Sequence, residues 1–329
     1  MRYLSIILLL LFSLQSCFKE EVMITPHEQG DLEEGQAPLG SYYENQVYFD
    51  LYNNEEVSSS SINDYDLSFE SSGGGWIIRL NSAKFMLAGN SHDTMFIADL
   101  IPDMLDMKFD KSDGNPDSTA IGAWYEISED SSWSQREVYL VDQGSDKEGF
   151  PLGQKIVQFD MLGDDFLMRY ANTDNSGDTL VLISRNPAMD QVYYSFDKGF
   201  VDIAPAPDLW SLLFSKYTTM LVTDEGEDYP YLVVGLLLNP NGVTAALDTI
   251  HDFMDMTRDD ITDLSFTLQA DVIGYDWKYY DFDAGVYTIV PDMNYVIRDR
   301  DGFFYKLRFV DFYSDEGVKG YPTFEFARL

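Results

Sequence analysis

From Tyr42 onward, short apolar runs rich in Val, Ile, Tyr and Phe alternate with clusters of Gly, Asp, Asn and Ser. They read NQVYFDLY, GWIIRLN, REVYLVD, QKIVQFDML and DTLVLIS. Short β-branched and aromatic runs bounded by turn residues predict strands, and a chain made of them predicts an all-β fold. Helical periodicity is scarce. Its best stretch, IADLIPDMLDM, is broken by Pro102, so helix is expected for no more than a turn or two.

The run pattern repeats. Gln46-Val47-Tyr48-Phe49 matches Gln191-Val192-Tyr193-Tyr194, and Tyr65-Asp66-Leu67-Ser68-Phe69 stands at the same offset as Trp210-Ser211-Leu212-Leu213-Phe214. Asn81 after WIIRL answers to Asn239 after VVGLLL. His-Asp-x-Met tetrapeptides, His92 to Met95 and His251 to Met254, follow eleven and twelve residues later. Ile121-Gly122-Ala123-Trp124 is echoed by Ile273-Gly274-Tyr275-Asp276-Trp277, and VYLVD with QKIVQFD by NYVIRD with YKLRFVD. Six landmarks in one order predict a duplication of about 140 residues. The alternative is one large sandwich whose strand vocabulary coincides, since Val, Tyr and Phe are common in strands.

The chain start differs in kind. An apolar run from Leu4 to Leu14 behind a single early cation is a secretory signal, too short to span a bilayer as a stable helix. It ends Leu14-Gln15-Ser16-Cys17, which resembles a bacterial lipobox, and Cys17 is the only cysteine in the chain. Cys17 is therefore the expected lipidation site, with acyl chains supplying the anchor. An ordinary signal peptide with an incidental cysteine is the alternative. Phe18-Lys19-Glu20-Glu21 then resembles the Lys-acidic-acidic tag that sends lipoproteins of one bacterial phylum to the outer face of the outer membrane. Residues 18 to about 40 are polar, acidic and turn-rich, which reads as a flexible tether that includes His27. The expected organisation is a signal peptide over 1–16, a lipidated tether over 17–40, and β domains over 41–188 and 189–329.

Composition narrows the partners. With 57 acidic against 21 basic residues the formal charge is −36, which excludes nucleic acid as a main partner. The same charge leaves membrane attachment to the lipid rather than to a basic patch. With Cys17 acylated no internal disulfide forms, so the core must hold the fold, and 45% hydrophobic residues give it the material.

The second half shows a likeness. PYLVVGLLLNPNGVTAALD and the segment from Ile273 to Leu329 resemble the HmuY family of haem-binding lipoproteins. The family's closing pattern is matched by Tyr295-Val296-Ile297-Arg298, the turn Asp301-Gly302, Tyr305-Lys306-Leu307, Gly320 and Phe324-Glu325-Phe326. An Asp-Gly turn is also what a hairpin needs, because glycine tolerates positive φ. Tyr65-Asp66-Leu67-Ser68-Phe69 fits the aromatic strand that opens the family's domain. The resemblance implies two tandem HmuY-like antiparallel β-sandwich domains on the cell exterior. It also implies capture of haem, delivery to a TonB-dependent outer-membrane receptor, and no enzyme activity. Two copies depart from the family's usual single domain.

Haem iron takes His or Met as axial ligands, so His92, Met95, His251 and Met254 are the candidate ligands. Two axial ligands approach from opposite faces, so residues three apart on one short segment cannot both bind one iron. If the second tetrapeptide is extended, His251 and Met254 point to opposite sides. Each His is equally a surface residue beside an acidic loop, and Met95, Met254 and Met256 are equally core fillers. Arg79, Arg298 and Lys306 are the candidate cations for the propionates, or outward strand residues that protect an edge.

Other chemistry is thin. Asp110 to Asp117 and Asp224 to Asp228 lack the twelve-residue calcium loop with its distal glutamate and read as solvated acidic turns. Gly73-Gly74-Gly75 precedes a strand rather than a helix, so it is no phosphate loop. No Gly-x-Ser-x-Gly elbow or cysteine nucleophile is present in the folded part. The competing reading is a surface lipoprotein that recognises a glycan or a protein through exposed aromatics such as Trp133, Tyr279 and Tyr280, without haem.

Overall fold

The computed structural model describes residues 30–96, 100–128, 131–223 and 225–329. Cys17, the signal segment and His27 lie outside the described residues. The described chain is all-β with antiparallel sheets, and its helical content is three single 3₁₀ turns. One of these, Pro102–Met104, falls where Pro102 was expected to limit helix.

Three strands come first: β1 (Glu33–Gln36), β2 (Asn45–Asp50) and β3 (Glu55–Ser61). Eight follow: β4 (Leu67–Glu70), β5 (Ile78–Leu80), β6 (Leu87–Asn90), β7 (Tyr125–Ile127), β8 (Ser132–Ser134), β9 (Val138–Asp142), β10 (Gln154–Leu162) and β11 (Asp165–Asn172). Three more are β12 (Thr179–Ile183), β13 (Gln191–Ser195) and β14 (Gly199–Val201). The last eight are β15 (Leu212–Val222), β16 (Asp228–Leu238), β17 (Thr244–Asp248), β18 (Lys278–Asp281), β19 (Val286–Ile289), β20 (Asn294–Arg298), β21 (Phe304–Tyr313) and β22 (Lys319–Arg328).

These strands build two sandwiches. In the first, the sheets β6-β9-β10-β11-β12 and β14-β13-β4-β5 enclose Phe69, Trp124, Tyr139, Phe159 and Phe166. In the second, the sheets β17-β20-β21-β22-β1 and β3-β2-β15-β16 enclose Phe214, Trp277, Tyr295, Phe309 and Phe324. The ring of Trp277 stacks on Phe309 with centroids 3.7 Å apart, and Phe214 stacks on Phe324 at 5.1 Å. Flat aromatic contacts of this kind add to the area term that dominates a core.

The strand order is the same in both sandwiches, but the chain does not divide between them at 188/189. Strands β1 to β3 complete the sandwich formed by the last eight strands, while β12 to β14 complete the one formed by β4 to β11. Val47 to Phe49 of β2 pair with Leu212 to Phe214 of β15, whereas Tyr194 to Val192 of β13 pair with Leu67 to Phe69 of β4. Each QVY-type strand therefore lies beside the aromatic strand that follows the other one.

The tether expected over 17–40 also ends earlier than its composition suggested. Residues 33–36 pair with β22, and Ala37 and Leu39 are wholly buried in the second core. Gly35 permits this, because a Cβ there would meet the Phe324 ring at 2.5 Å. Between β20 and β21, Gly302 has φ +87°, the left-handed conformation the Asp-Gly turn was expected to need.

Buried asparagines fix equivalent corners. Asn81 Nδ2 donates to the carbonyls of Ile62 and Tyr65, and its Oδ1 accepts from Ala83 N–H. Asn239 Nδ2 donates to the carbonyls of Pro207 and Trp210, and its Oδ1 accepts from Asn241 N–H. Both side chains thus satisfy carbonyls just before β4 and β15 that no strand partner reaches.

Candidate functional site

The two tetrapeptides follow strands at equivalent sheet positions, β6 and β17, but their surroundings differ. Residues 251–256 are not extended: they turn, with Met256 N–H donating to the Asp252 carbonyl at 3.0 Å. The His251 ring is bracketed by carboxylates, with Nδ1 2.7 Å from Asp248 Oδ2 and Nε2 3.7 Å from Asp260 Oδ1. The hydrogen bond to Asp248 raises the His251 pKa above its ordinary value, with Asp260 adding to the effect. Ligation here requires a free ring nitrogen, whereas Nδ1 is engaged by Asp248 and Asp260 stands beside Nε2.

Met254 is exposed, with its sulfur 4.0 Å from Arg308 Nη2, and Met256 is wholly buried as core filling. Lys306 was expected to be either a cation for a propionate or an outward strand residue. It is instead buried, and its Nζ donates to the carbonyls of Phe253 at 2.7 Å, Met256 at 3.2 Å and Met254 at 3.3 Å. The ammonium holds the turn because three convergent carbonyls replace its water shell. Arg298 is exposed at the far end of β20, over the Phe304 ring. His251 and Met254 therefore share one turn, which Lys306 reaches from β21, and Arg298 stands apart from it. None of the four borders any of the five clefts described in this molecule.

His92 does border a cleft. It has φ +56°, its N–H donates to Asn90 Oδ1 at 2.8 Å, and its imidazole is exposed. Nδ1 lies 3.5 Å from Glu137 Oε1, and Nε2 has no hydrogen-bond partner among the described residues. Glu137 stands near this ring without a hydrogen bond to it, its Oε2 accepting instead from Asn90 Nδ2, and the exposed imidazole is free to present a nitrogen to the cleft.

The cleft measures about 590 Å³ and is lined by His92, Met107, Lys108, Lys111, Tyr139 and Met220 among others. That volume lies within the range of sites for cofactor-sized molecules. Met107 covers the backbone at Gly89, where a Cβ would lie 2.6 Å from its sulfur. Lys108 is brought in by backbone bonds between its segment and Ala88 at 2.8 and 2.9 Å. The matching bridge in the second sandwich joins Ala245 to Thr267, so no lysine stands at the equivalent place. Met95, expected as a partner of His92, is exposed and does not line the cleft.

The loop behind Lys111 is pinned by Asp110, whose carboxylate accepts from Leu80 N–H at 2.8 Å and Ala120 N–H at 2.7 Å. Asp110 is buried, not the solvated turn residue expected, and burial pushes its carboxyl up to about 6. Met107, Lys108, Lys111 and Met220 were absent from the sequence expectation. Two lysines within four residues of an otherwise acidic chain are the signal that could have marked 108–111. Met220 carries no such signal, because it arrives from β15 of the other sandwich.

Arg79 spends Nη2 on the Gly114 carbonyl at 3.0 Å. Trp133 is exposed on β8, and Tyr279 and Tyr280 on β18, in the two short hairpins that precede β9 and β20. Among the described residues no group of three or more His, Cys, Asp and Glu is placed to hold a bare metal ion, and no helix is long and apolar enough to cross a membrane.

Comparison with known proteins bears on the second half of the chain. The model of the family described as HmuY protein matches residues 188–326, somewhat less than half of the chain. No curated protein matches the chain. Among solved structures, apo PinO from Porphyromonas gingivitis shares 9% identity, covering 90% of this chain and 96% of its own, with a TM-score of 0.29. The apo HmuY analogue of Tannerella forsythia shares 10% identity over 92% and 98%, with a TM-score of 0.27. A Bacteroides vulgatus protein described as a candidate HmuY-like heme-binding protein shares 13% over 49% and 84%, with a TM-score of 0.18. Overlaps this loose define no residue correspondence.

Proposed function

We propose that this chain is a non-enzymatic surface lipoprotein that binds haem or a related porphyrin and delivers it to a TonB-dependent receptor, anchored in the outer membrane through Cys17. The observation that carries the reading is the cleft at His92. It combines an imidazole with one open nitrogen, two thioethers from Met107 and Met220, and two ammonium groups from Lys108 and Lys111. His and Met are the side chains that hold haem iron, and cations are what two propionates require. The similarity of residues 188–326 to the HmuY family supports the same ligand class.

The test is a haem titration of the mature chain without Cys17, read by Soret absorption in oxidised and reduced forms, and repeated with His92→Ala, His251→Ala and Met254→Ala. A saturable low-spin spectrum that His92→Ala abolishes and the other two leave intact is expected. Loss with His251→Ala or Met254→Ala instead would move the site to the second sandwich. A spectrum identical to that of free haem would overturn the reading.

The exposed aromatics on both hairpins favour a second reading, recognition of a glycan or protein partner without haem. It predicts no haem spectrum and unchanged partner binding when His92 and His251 are both removed.

A further inference from the structure

A second cavity lies where the two sandwiches meet, away from the His92 imidazole, although Lys111 borders both spaces. Tyr48, Trp210 and Tyr217 come to it from the strands and approach of one sandwich, and Tyr65, Ser68 and Tyr193 from the other. Two edge-to-face ring pairs form its walls: Tyr48 with Trp210 at 4.9 Å and Tyr65 with Tyr193 at 5.0 Å. Leu213, Leu237 and prolines 205, 207 and 240 add further apolar lining.

Two polar groups in this apolar lining lack partners. Tyr217 is 2% exposed and Trp210 8%, yet neither the Tyr217 hydroxyl nor Trp210 Nε1 makes a hydrogen bond among the described residues. Neither atom is among the fully enclosed unpaired ones, so each reaches open space at the cavity rather than packed protein, where both are free to donate to a guest that supplies acceptors. The charged groups at the margin balance, with Arg79 and Lys111 against Asp110 and Asp190. Asp110 also spends both oxygens on backbone N–H groups. An ion of either sign therefore gains little here.

The cavity volume is about 230 Å³. An apolar cavity of about 150 Å³ holds benzene, so this one holds a single ring with substituents and excludes a porphyrin. We propose that the junction between the sandwiches is a binding site for a small neutral aromatic molecule, one ring bearing a hydroxyl, which stacks among Tyr48, Tyr65, Tyr193 and Trp210 and hydrogen-bonds to Trp210 Nε1 and the Tyr217 hydroxyl. The site stands independently of haem binding, because it shares no candidate iron ligand with the His92 cleft.

The experiment is calorimetric titration of the full mature chain without Cys17, using p-cresol as the probe. Toluene serves as the ring without a hydroxyl and 4-hydroxybenzoate as the charged analogue. Saturable p-cresol binding is expected, weakened by about tenfold in Trp210→Phe or Tyr217→Phe, the order of one net hydrogen bond. Leu213→Trp, which fills the space, should abolish it. If that variant does not fold, the two conservative substitutions decide. Toluene binding as tightly as p-cresol would overturn the hydrogen-bonding assignment, and tighter 4-hydroxybenzoate would overturn the neutral ligand class. Absence of saturation with p-cresol would overturn the site.

Discussion

Lys278 enters the second core at the start of β18, where its ammonium donates to the Val234 carbonyl and lies 4.0 Å from the centroid of the Trp277 ring. Burial pushes its amine down to about 7. A lysine lowered in the folded state takes up its proton first in the unfolded chain. Stability from this group therefore rises with pH from about 7 toward the ordinary lysine range, and is flat below about 7. Lys278→Met removes that slope. Calorimetric melting at pH ~7.5 and ~9.5 should show the parent gaining stability relative to the variant as pH rises, and equal slopes would contradict it. Lys306 makes a different demand, because its ammonium is satisfied by three carbonyls. Lys306→Met leaves them without a donor and is expected to cost about 2 to 3 kcal/mol in urea unfolding, with haem affinity at His92 unchanged. Neither role was legible from the sequence, where Lys306 reads as an outward strand residue: its neighbours Tyr305 and Leu307 are apolar, and the turn at 253–256 that takes its amine is about fifty positions away.

Among the elements, the strands were legible because their composition is local, while their partners were not. The run Gln46 to Phe49 announces β2 in any arrangement, but nothing near it states that it lies beside Leu212 to Phe214. Connection length offers a physical reason. Strands β3 and β4 would run parallel on either side of β2 if the first copy closed on itself, since both partners of β2-type strands are antiparallel to them. The link between Ser61 and Leu67 would then have to climb from the level of Asn45 to that of Phe49 while passing over β2, a straight distance of about 17 Å before any detour, and six residue steps reach only about 20 Å when fully taut. From Val201 to Leu212 eleven steps reach about 37 Å, so the second copy has slack. Asn81 holds the short link by two of its carbonyls and Asn239 holds the long one in the same way. Asn81→Ala and Asn239→Ala should therefore each lose about 2 to 3 kcal/mol, through stranded buried carbonyls, in chemical unfolding. A cost at one corner and none at the other would show that the two corners are not energetically equivalent. The site followed the same division: His92 was readable as a residue type, but its cleft is assembled from the end of β6, the 106–123 loop, β9 and β15, and no spacing encodes that meeting.

For the whole molecule, these connections decide which pieces can stand alone. Strands β4 to β14 are contiguous and form a complete sandwich, so residues 63–203 contain both sheets of the first core. Residues 30–175 contain the eight strands β4 to β11 with β1 to β3 in front, yet the taut link after Ser61 keeps those three from filling the place of β12 to β14. The expected outcome is that the 63–203 fragment unfolds cooperatively in urea with a near-ultraviolet signal from Trp76 and Trp124, both buried in its core. The 30–175 fragment should lack that signal, because the sheet beside β4 is left open and its apolar face unpaired. Inserting a flexible segment of about six residues after Ser61 should restore folding to 30–175, since the added reach lets β2 lie against β4. Cooperative unfolding of 30–175 without the insertion would show that the short connection does not govern the exchange, and would place its cause in the side chains at the β2–β15 and β4–β13 seams.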